Sequence, residues 1–519
     1  MKSKLNLFLI SILTTYSIVF SQNISDALNY ADNSYQGTAR FNSMSGAFGA
    51  LGGDLSSIAV NPAGSAVLNN GHFSISFGSD TKTGEASILN TENNFDKKNI
   101  TLNQIGGVIN FKNLEGNSKW KKISVGISYN QSKNNFNEFS VFNFSNNNSV
   151  DSYFLNNAEG LRLDQISRFD GESITDAYID IGNVYGYSHQ QAFLGYESYI
   201  IDPVVFDNGN SSYISNVPDG VFNQSYRSIS RGYNGKLSFN AAFQYENNLY
   251  FGFNLNSHFI DFDNYTILNE TNSNGDSGQF RINGIYFENR LSTFGEGFSA
   301  QFGLITKVSE VVRLGFSYDT PTWYTISEQT SQYLETSSIV DDNDITDLYI
   351  VNPNAINIYE DYTLKLPSKL TASTAFVFKD FGLFSFDYSR RDYSSIKFKP
   401  ISDIHFSNLN QQISVRLKEV NTFRFGTEIL ADRISFRGGL MIEDSPYKSS
   451  VVSEDENIDM SSNGFSLGIG YKLNNTIIDL SFVRIESSKY KKLYDTGLTD
   501  RINLDAKNTT FTISVSSIF

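Results

Sequence analysis

The sequence has no cysteine, only four histidines and two tryptophans among its 519 residues. The absence of cysteine excludes disulfides, thiolate metal sites and thiol nucleophiles. The histidines are scattered without metal-site spacing, so no metal or other cofactor is predicted. Lys and Arg number 40 against 55 Asp and Glu, and the net charge of −15 argues against nucleic-acid binding. No nucleophile triad or cofactor fingerprint emerges, so we predict that the protein is not an enzyme.

Long apolar runs are also missing, apart from one at the N-terminus. Lys2 and Lys4 precede an apolar run that ends at Phe20. This order is typical of a secretory signal peptide, and the run is shorter than the roughly 20 residues that a spanning helix needs. We therefore predict a signal peptide over residues 1–21 and no transmembrane helix in the mature chain.

What the sequence does have is alternation of apolar and polar residues from residue 72 onward. In the segment 237–245 one face carries Leu237, Phe239, Ala241, Phe243 and Tyr245, and the residues between them are mostly polar. Such a period of two predicts β-strands with one apolar and one polar face. About fourteen strands of this kind follow one another to the end of the chain.

The links between these strands alternate between short and long. The short links include 247–248, and the longest are 132–234 and 320–366. Short turns at one end and long loops at the other are typical of bacterial outer-membrane barrels, as is the terminal aromatic residue Phe519. We predict an all-β fold, a transmembrane antiparallel up-and-down β-barrel of about 14 strands over residues 71–519, located in the bacterial outer membrane. The 43 Phe and 29 Tyr suit a lipid-facing wall with aromatic girdles.

The segment 22–70 lacks strand alternation. A barrel of fourteen strands leaves a hole unless something fills it, so we predict that this segment is an N-terminal hatch, or plug, inside the lumen. It contains a helical stretch over 25–31 and a Gly- and Ala-rich run over 46–53. Asp54 is placed to cap a short helix that begins at Leu55.

Several short motifs in correct order carry a resemblance to a known family. They are Gly37–Arg40, Ser45–Phe48, Asn61–Gly64, Leu366–Pro367, Asp387–Tyr388, Phe423–Gly426, Phe436–Gly439 and Asp444–Pro446. With them the chain resembles the FadL/TodX-type outer-membrane transporters for long-chain fatty acids and aromatic hydrocarbons. The resemblance implies a hatch inside a 14-stranded barrel, with Asn61, Pro62, Ala63 and Gly64 as the hatch motif. The link 132–234 departs from the family by its length.

Two arginines on the polar faces of neighbouring strands are the candidate ligand-binding residues. Arg424 and Arg437 flank the turn at 431–432, so we expect them to approach one another inside the barrel. One hypothesis is that they bind the carboxylate of an amphipathic ligand. The other, which the number of inward acids favours, is that they belong to an ion-pair lattice between wall and hatch.

The leading functional hypothesis is passive uptake of hydrophobic small molecules, such as long-chain fatty acids or related hydrocarbons, through the plugged barrel. The resemblance implies exit through a gap in the wall toward the lipid, and Gly126 is the candidate for a kink that opens it. One alternative is a barrel of the same fold that serves as a scaffold or shuttle for surface protein secretion or attachment. Another is a general diffusion porin. The expected partners are the hydrophobic ligand and outer-membrane lipid; no protein partner is identified.

Overall fold

The computed structural model describes residues 23–31, 36–113, 118–341, 346–448 and 460–519, so the predicted signal peptide lies outside it. The strands are β1 (His72–Ile88), β2 (Thr91–Lys112), β3 (Trp120–Asn134), β4 (Asn137–Asn146), β5 (Ile201–Pro203), β6 (Tyr213–Ser215), β7 (Phe222–Tyr245), β8 (Leu249–Thr271), β9 (Arg281–Lys307), β10 (Val312–Asp319), β11 (Trp323–Ile339), β12 (Asp347–Val351), β13 (Asn357–Ile358), β14 (Tyr362–Lys365), β15 (Lys369–Phe378), β16 (Gly382–Asp392), β17 (Lys397–Lys399), β18 (Glu419–Ala431), β19 (Ile434–Glu443), β20 (Ser462–Leu473), β21 (Thr476–Lys492) and β22 (Arg501–Ile518).

The helices are α1 (Ile24–Ala31), α2 (Ala39–Ser43), α3 (Asp151–Ala158), α4 (Ile174–Tyr185), α5 (Tyr187–Glu197) and α6 (Ile404–Arg416). Short 3-10 helices cover Leu55–Ala59, Pro62–Val67, Leu163–Gln165 and Tyr393–Ser395. No helix in the described ranges is long and apolar enough to cross a membrane.

The strands form a closed antiparallel barrel of fourteen staves, which confirms the predicted fold class. Each stave pairs with its neighbours along the chain, and β1 pairs with β22 to close the ring. Four staves consist of two strands in succession, namely β3 with β4, β10 with β11, β14 with β15 and β16 with β17. Among the described staves, closure pairs each stave on both sides, and a sheet in lipid needs this because its backbone groups have no water to bond to.

The predicted alternation holds along the staves. Large apolar side chains point outward and are exposed, among them Phe73, Phe77, Ile123, Phe251, Phe302, Phe316, Phe384, Phe436, Phe465 and Phe511. Polar side chains point inward and are buried, among them Ser76, Gln104, Asn240, Asn254, Gln301, Asp387, Glu428, Arg437 and Asp479. An apolar exterior around a polar interior is the arrangement of a membrane-spanning barrel.

Several strands continue well beyond their predicted extracellular ends. The alternation of apolar and polar residues in the sequence predicts a strand over 296–307, but β9 already begins at Arg281. In the added part the polarity is reversed, because Ile285 and Phe287 point inward and are buried whereas Glu288 lies on the outer face. This stretch lies above the membrane, and its inward side chains form part of an apolar core inside the barrel. The alternation expected of a membrane-spanning strand, with apolar residues outward, is therefore absent from this stretch of β9. For that reason the predicted strand is shorter than the observed one.

The long link 132–234 is a folded cap rather than a plain loop. It contains β4, α3, α4, α5, the hairpin β5–β6 and the upper part of β7. Its apolar core includes Phe144, Phe154, Tyr178, Phe193 and Leu194, and it is continuous with Leu268, Ile285, Phe287 and Leu334 on the barrel strands. The helices thus rest on the extracellular ends of the staves and cover the mouth on that side.

A second cover forms where α6 meets α1. Phe406, Leu409 and Ile413 of α6 share an apolar cluster with Ile24 and Leu28 of α1. The same cluster includes wall residues of β8, β11 and β14, among them Ile260, Tyr324 and Leu364, which lie just above the level of Trp323. The N-terminal helix therefore lies high in the lumen, beneath the external segments.

The two tryptophans mark the two ends of the apolar exterior. Trp120 begins β3 and packs against Tyr245, the last residue of β7 before its short turn to β8, with ring centroids 5.2 Å apart. Trp323 begins β11 at the opposite end and is 41% exposed on the outer face, opposite Phe298. Tryptophan prefers the membrane–water interface. We therefore take the belt between the levels of these two residues as the part in lipid.

This assignment predicts where each indole lies. In the variants Trp120→Phe and Trp323→Phe one tryptophan remains, and in lipid vesicles its fluorescence should be quenched more by lipids labelled near the headgroup than by lipids labelled at the chain end. The measurement is depth-dependent quenching on both variants. Stronger quenching from the bilayer centre, for either residue, would show that the belt is misplaced.

Candidate functional site in the lumen

The segment from residue 36 to residue 70, called here the inner segment, crosses the lumen and touches the wall on several sides. The Ala39 amide donates to Ser514 Oγ at 2.6 Å in β22, and the Gly49 amide donates to Asp387 Oδ2 at 2.9 Å in β16. Ser65 Oγ donates to Asn240 Oδ1 at 2.5 Å in β7. These strands lie on different sides of the ring. The segment is therefore held in place from around the lumen by the polar inner face.

Glycines on the inner face of the wall make room for this segment. A Cβ added at Gly252 would lie 2.1 Å from the Pro62 carbonyl carbon, and one at Gly315 would lie 2.1 Å from Gly49 O. The same close approach occurs at Gly303, Gly426, Gly439 and Gly468. The sequence carries a signal for this contact surface, because glycines recur at inward positions of the alternation.

The hatch motif Asn61, Pro62, Ala63 and Gly64 forms the start of a 3-10 helix fixed to the wall. Asn61 Oδ1 accepts from the Ala63 amide at 3.1 Å, which caps the helix. Asn61 Nδ2 donates to Leu304 O at 3.0 Å and to Phe316 O at 3.3 Å. A side chain with both an acceptor and donors satisfies the helix end and the wall together. A Cβ on Gly64 would lie 2.5 Å from Ser57 Oγ.

The predicted Asp54 cap is present. Asp54 Oδ1 accepts from the Ser56 amide at 2.8 Å, at the start of the 3-10 helix Leu55–Ala59. Both carboxylate oxygens of Asp54 also lie 2.9 Å from Thr38 Oγ1, which in turn caps α2. One carboxylate therefore links two short helices of the inner segment.

Arg437 belongs to a buried ion-pair lattice. Its Nε lies 2.5 Å from Glu428 Oε2, and its Nη1 lies 2.7 Å from Asp479 Oδ1. Arg40 of the inner segment shares the same carboxylate, with both oxygens of Glu428 at 2.9 Å from its guanidinium nitrogens. Two arginines and two acids thus neutralise one another between wall and inner segment. This arrangement matches the lattice hypothesis for Arg437, and sequence analysis missed the partner Arg40.

The expected approach of Arg424 to Arg437 was wrong. In the ladder between β18 and β19, Arg437 is opposite Glu428, whereas Arg424 is opposite Met441. The two arginines therefore lie at different heights along the wall. Alternation predicts which face a residue is on, but the register decides its neighbours, and the register was not predictable from the alternation alone.

Arg424 lies beside an apolar pocket between the wall and the inner segment. Its guanidinium has no hydrogen bond and no ion pair within the described part of the chain, although Asp387 is opposite it in the ladder with β16. The pocket contains about 530 Å³ of space, part of it open to solvent. It is lined by Phe41, Asn42, Ser45, Gly46, Val60, Arg424, Met441, Gly464, Val483 and Ile485. The site combines one cationic group with mostly apolar walls.

A second pocket in the lumen is polar. It is lined by Lys236, Asn256, His258, Ser299, Asp319, Thr320, Thr322, Leu366, Pro367, Lys369 and Arg391. Lys369 pairs with Asp319 at 2.9 Å, and Arg391 Nη1 donates to Ala31 O at 2.9 Å. Its lining suits water or ions rather than a hydrocarbon. In the described ranges no three His, Cys, Asp or Glu side chains are grouped closely enough to hold a metal ion.

Gly126 lies in an uninterrupted part of the wall. It is paired with Val108 of β2 on one side and with Asn240 of β7 on the other. The register shifts between β3 and β7 occur elsewhere, between Trp120 and Lys122 and between Gln131 and Lys133. The kink at Gly126 stays a prediction.

A buried carboxyl connects the cap to the barrel. Glu270 near the extracellular end of β8 is fully buried and accepts from the Val150 amide at 2.9 Å and from Gln224 Nε2 at 2.6 Å. Ser149 Oγ also donates to it, at the start of α3. Burial raises the pKa of Glu270 from 4.5 to about 7, because these donors only partly offset the loss of hydration. The bond between cap and barrel is therefore sensitive to pH.

A substitution of Glu428 tests whether the ion-pair lattice stabilises the fold. Glu428→Gln removes the carboxylate shared by Arg40 and Arg437, and we expect a loss of about 3–5 kcal/mol in the free energy of unfolding, because buried arginine charge loses its partner. The measurement is the midpoint of denaturant- or heat-induced unfolding in detergent. The control is Glu246→Gln, whose partner Lys119 is 67% exposed, and its effect should stay below about 1 kcal/mol. Equal small effects in both variants would contradict a stabilising lattice.

Glu270 tests the pH dependence of the cap. The folded carboxyl keeps its proton to a higher pH than the unfolded one, so the cap should lose up to about 3 kcal/mol of stability as the pH rises from about 4.5 to about 7, and the loss should persist above that. Glu270→Gln should abolish this pH-dependent part. The measurement is hydrogen exchange of α3, corrected for intrinsic rates.

Glu159→Gln, an exposed position on the same cap, is the matched control and should follow the wild type at every pH. If the Glu270→Gln variant kept the wild-type pH dependence of α3 protection, another group would be responsible for it.

The fold is similar to that of solved outer-membrane channels. A FadL homologue of Pseudomonas aeruginosa aligns with a TM-score of 0.53 and 11% sequence identity, over 93% of this chain and 98% of that one. The toluene transporter TodX of Pseudomonas putida aligns with a TM-score of 0.50 and 12% identity, over 93% and 99% of the two chains. No protein-family profile and no curated protein sequence matches this chain. At this identity the likeness concerns the fold: the chain has the 14-stranded barrel fold of FadL-type channels, a fold of the Gram-negative outer membrane.

Proposed function

We propose that this protein is an outer-membrane channel for passive uptake of hydrophobic small molecules, and that its ligands are amphipathic carboxylates such as long-chain fatty acids. The observation that carries the proposal is Arg424, a cationic group without an ion pair among the described residues, set in an apolar pocket inside the barrel. Uptake of other hydrocarbons would use the same apolar walls without the arginine.

The pocket suits a molecule with one charged end and one apolar end. The carboxylate would lie against Arg424, where desolvation strengthens a charge-assisted hydrogen bond. The chain would lie against Phe41, Met441 and Ile485, where each buried methylene contributes about 0.8 kcal/mol. Asp387 is the competing anion, but one of its oxygens already accepts from the Gly49 amide. A ligand carboxylate therefore has a cation available to it.

The fold supports transport rather than storage. The cap and α6 cover the extracellular side, and the inner segment occupies the lumen, so a ligand needs local movement to pass. Such a path keeps an apolar ligand out of bulk water. The cap, α6 and the inner segment also argue against a general diffusion porin, because a porin requires an open aqueous channel. Exit through the wall at Gly126 remains part of the proposal.

The scaffold alternative rests on a different surface. The tip of the cap exposes Val204, Val205 and Phe206, which a protein partner could cover. Purification from native membranes separates the two functions, because a scaffold should retain a stoichiometric protein and a transporter should retain a small apolar ligand.

Arg424 tests the proposed ligand class. Arg424→Gln should weaken binding of oleate to the purified protein by about tenfold, the effect of roughly 1.4 kcal/mol from the lost charge-assisted bond, while binding of an uncharged hydrocarbon of similar length stays unchanged. The measurement is saturation binding with both probes. Arg433→Gln, an exposed arginine near the short turn 431–432, is the matched control and should leave both affinities unchanged.

Equal loss of both ligands would point to damage of the pocket rather than to carboxylate recognition. No saturable binding of either probe by the wild type would remove the basis of the proposal.

A further inference from the structure

Three lysines lie together on the outside of the barrel. Lys365 and Lys397 are directly opposite one another in the ladder between β14 and β17, and Lys399 follows two residues further along β17. Leu364 and Phe398 between them are fully buried. Since successive side chains of a strand point to opposite faces, the three lysines are on the outer face.

This group lies directly beyond the extracellular end of the apolar belt. Lys365 is opposite Trp323 in the ladder between β14 and β11, and Trp323 is opposite Phe298, which is 51% exposed. One row across the outer surface therefore reads Phe298, Trp323, Lys365 and Lys397. Tryptophan occupies the interfacial region, so these lysines are at the level of the lipid headgroups.

The three lysines have no ion-pair partner among the described residues, although the Asp361 carboxylate, which accepts from Ser327 Oγ, lies two residues before Thr363, the residue opposite Lys399. None of the three makes an ion pair or a side-chain hydrogen bond in the part of the chain that the structure describes. Some basic residues elsewhere on the exterior are paired, as with Arg390 and Glu419. The outward carboxylate of Glu296 lies on β9, beyond β11 from the lysines.

We propose that Lys365, Lys397 and Lys399 bind the phosphate groups of a phosphorylated lipid in the outer leaflet. Charge complementarity and the headgroup-level position carry the proposal, since clustered lysines beside a membrane attract anionic headgroups. The chain as a whole has a net charge of −15 and would be repelled by an anionic leaflet. A local cationic surface offsets this repulsion at one side of the barrel and fixes where the lipid binds.

The test is native mass spectrometry of the full chain in a non-ionic detergent, with diphosphoryl lipid A as the probe. The triple variant K365Q/K397Q/K399Q should bind this lipid with an affinity that is lower by about tenfold or more, because each lysine at the headgroup level adds electrostatic attraction to the anionic lipid. The control triple K121Q/K379Q/K472Q removes three lysines near the short turns at the opposite end and should bind like the wild type.

Two further arms keep the result interpretable. The charge-conserving variant K365R/K397R/K399R should retain binding, and heat-dependent gel migration checks that every variant is folded. A dephosphorylated form of the probe should bind the wild type and the glutamine variant equally weakly. Equal binding of diphosphoryl lipid A by the glutamine variant and the control triple would overturn the proposal. Displacement of the lipid by millimolar inorganic phosphate would also overturn it, because the site would then hold only an adventitious ion.

Discussion

A barrel of fourteen strands encloses more space than its own inward side chains can fill, and the interior of this molecule is arranged around that constraint. The inner segment takes up the space, but its backbone carries polar groups that must be paired when they leave water. The wall provides the partners from inward side chains such as Ser514, Asp387 and Asn240. Glycines on the inner face of the wall leave the space in which the inner segment packs. The polar inner face, which lowers the mean hydropathy of a membrane protein, thus serves as the binding surface for its own N-terminal segment.

Charge inside the wall is used in two ways. Arg437 and Arg40 share Glu428, and Asp479 completes the neutralisation, so this cluster holds the inner segment without leaving net charge. Arg424 stands apart from it beside an apolar pocket. The same residue type, on the same face of adjacent strands, has a structural role at one height and is available to a ligand at another.

The sequence predicts the barrel well because alternation is a property of each strand alone. It predicts that Asp54 caps a short helix for the same reason, since helix capping depends on residues two or three positions apart in the sequence. It does not predict which residues face each other across strands, as the separation of Arg424 from Arg437 shows. Nor does it predict that residues 132–234 fold into a cap over the extracellular mouth of the barrel. Helix α5 is buried from His189 to Gly195 without interruption, so no one-sided apolar stripe distinguishes it from a loop.

The glycines of the inner wall also bear on how the molecule assembles. A glycine in a strand contributes no side-chain packing and loses more conformational entropy than other residues, so Gly252, Gly303 and Gly315 weaken the sheet unless something lies against them. The inner segment lies against them and also binds β22, the last stave to be made. A barrel closed without the segment would hold a water-filled hollow behind a weakened wall. We therefore expect the first part of the mature chain to act as a template, around which the seam between β1 and β22 closes.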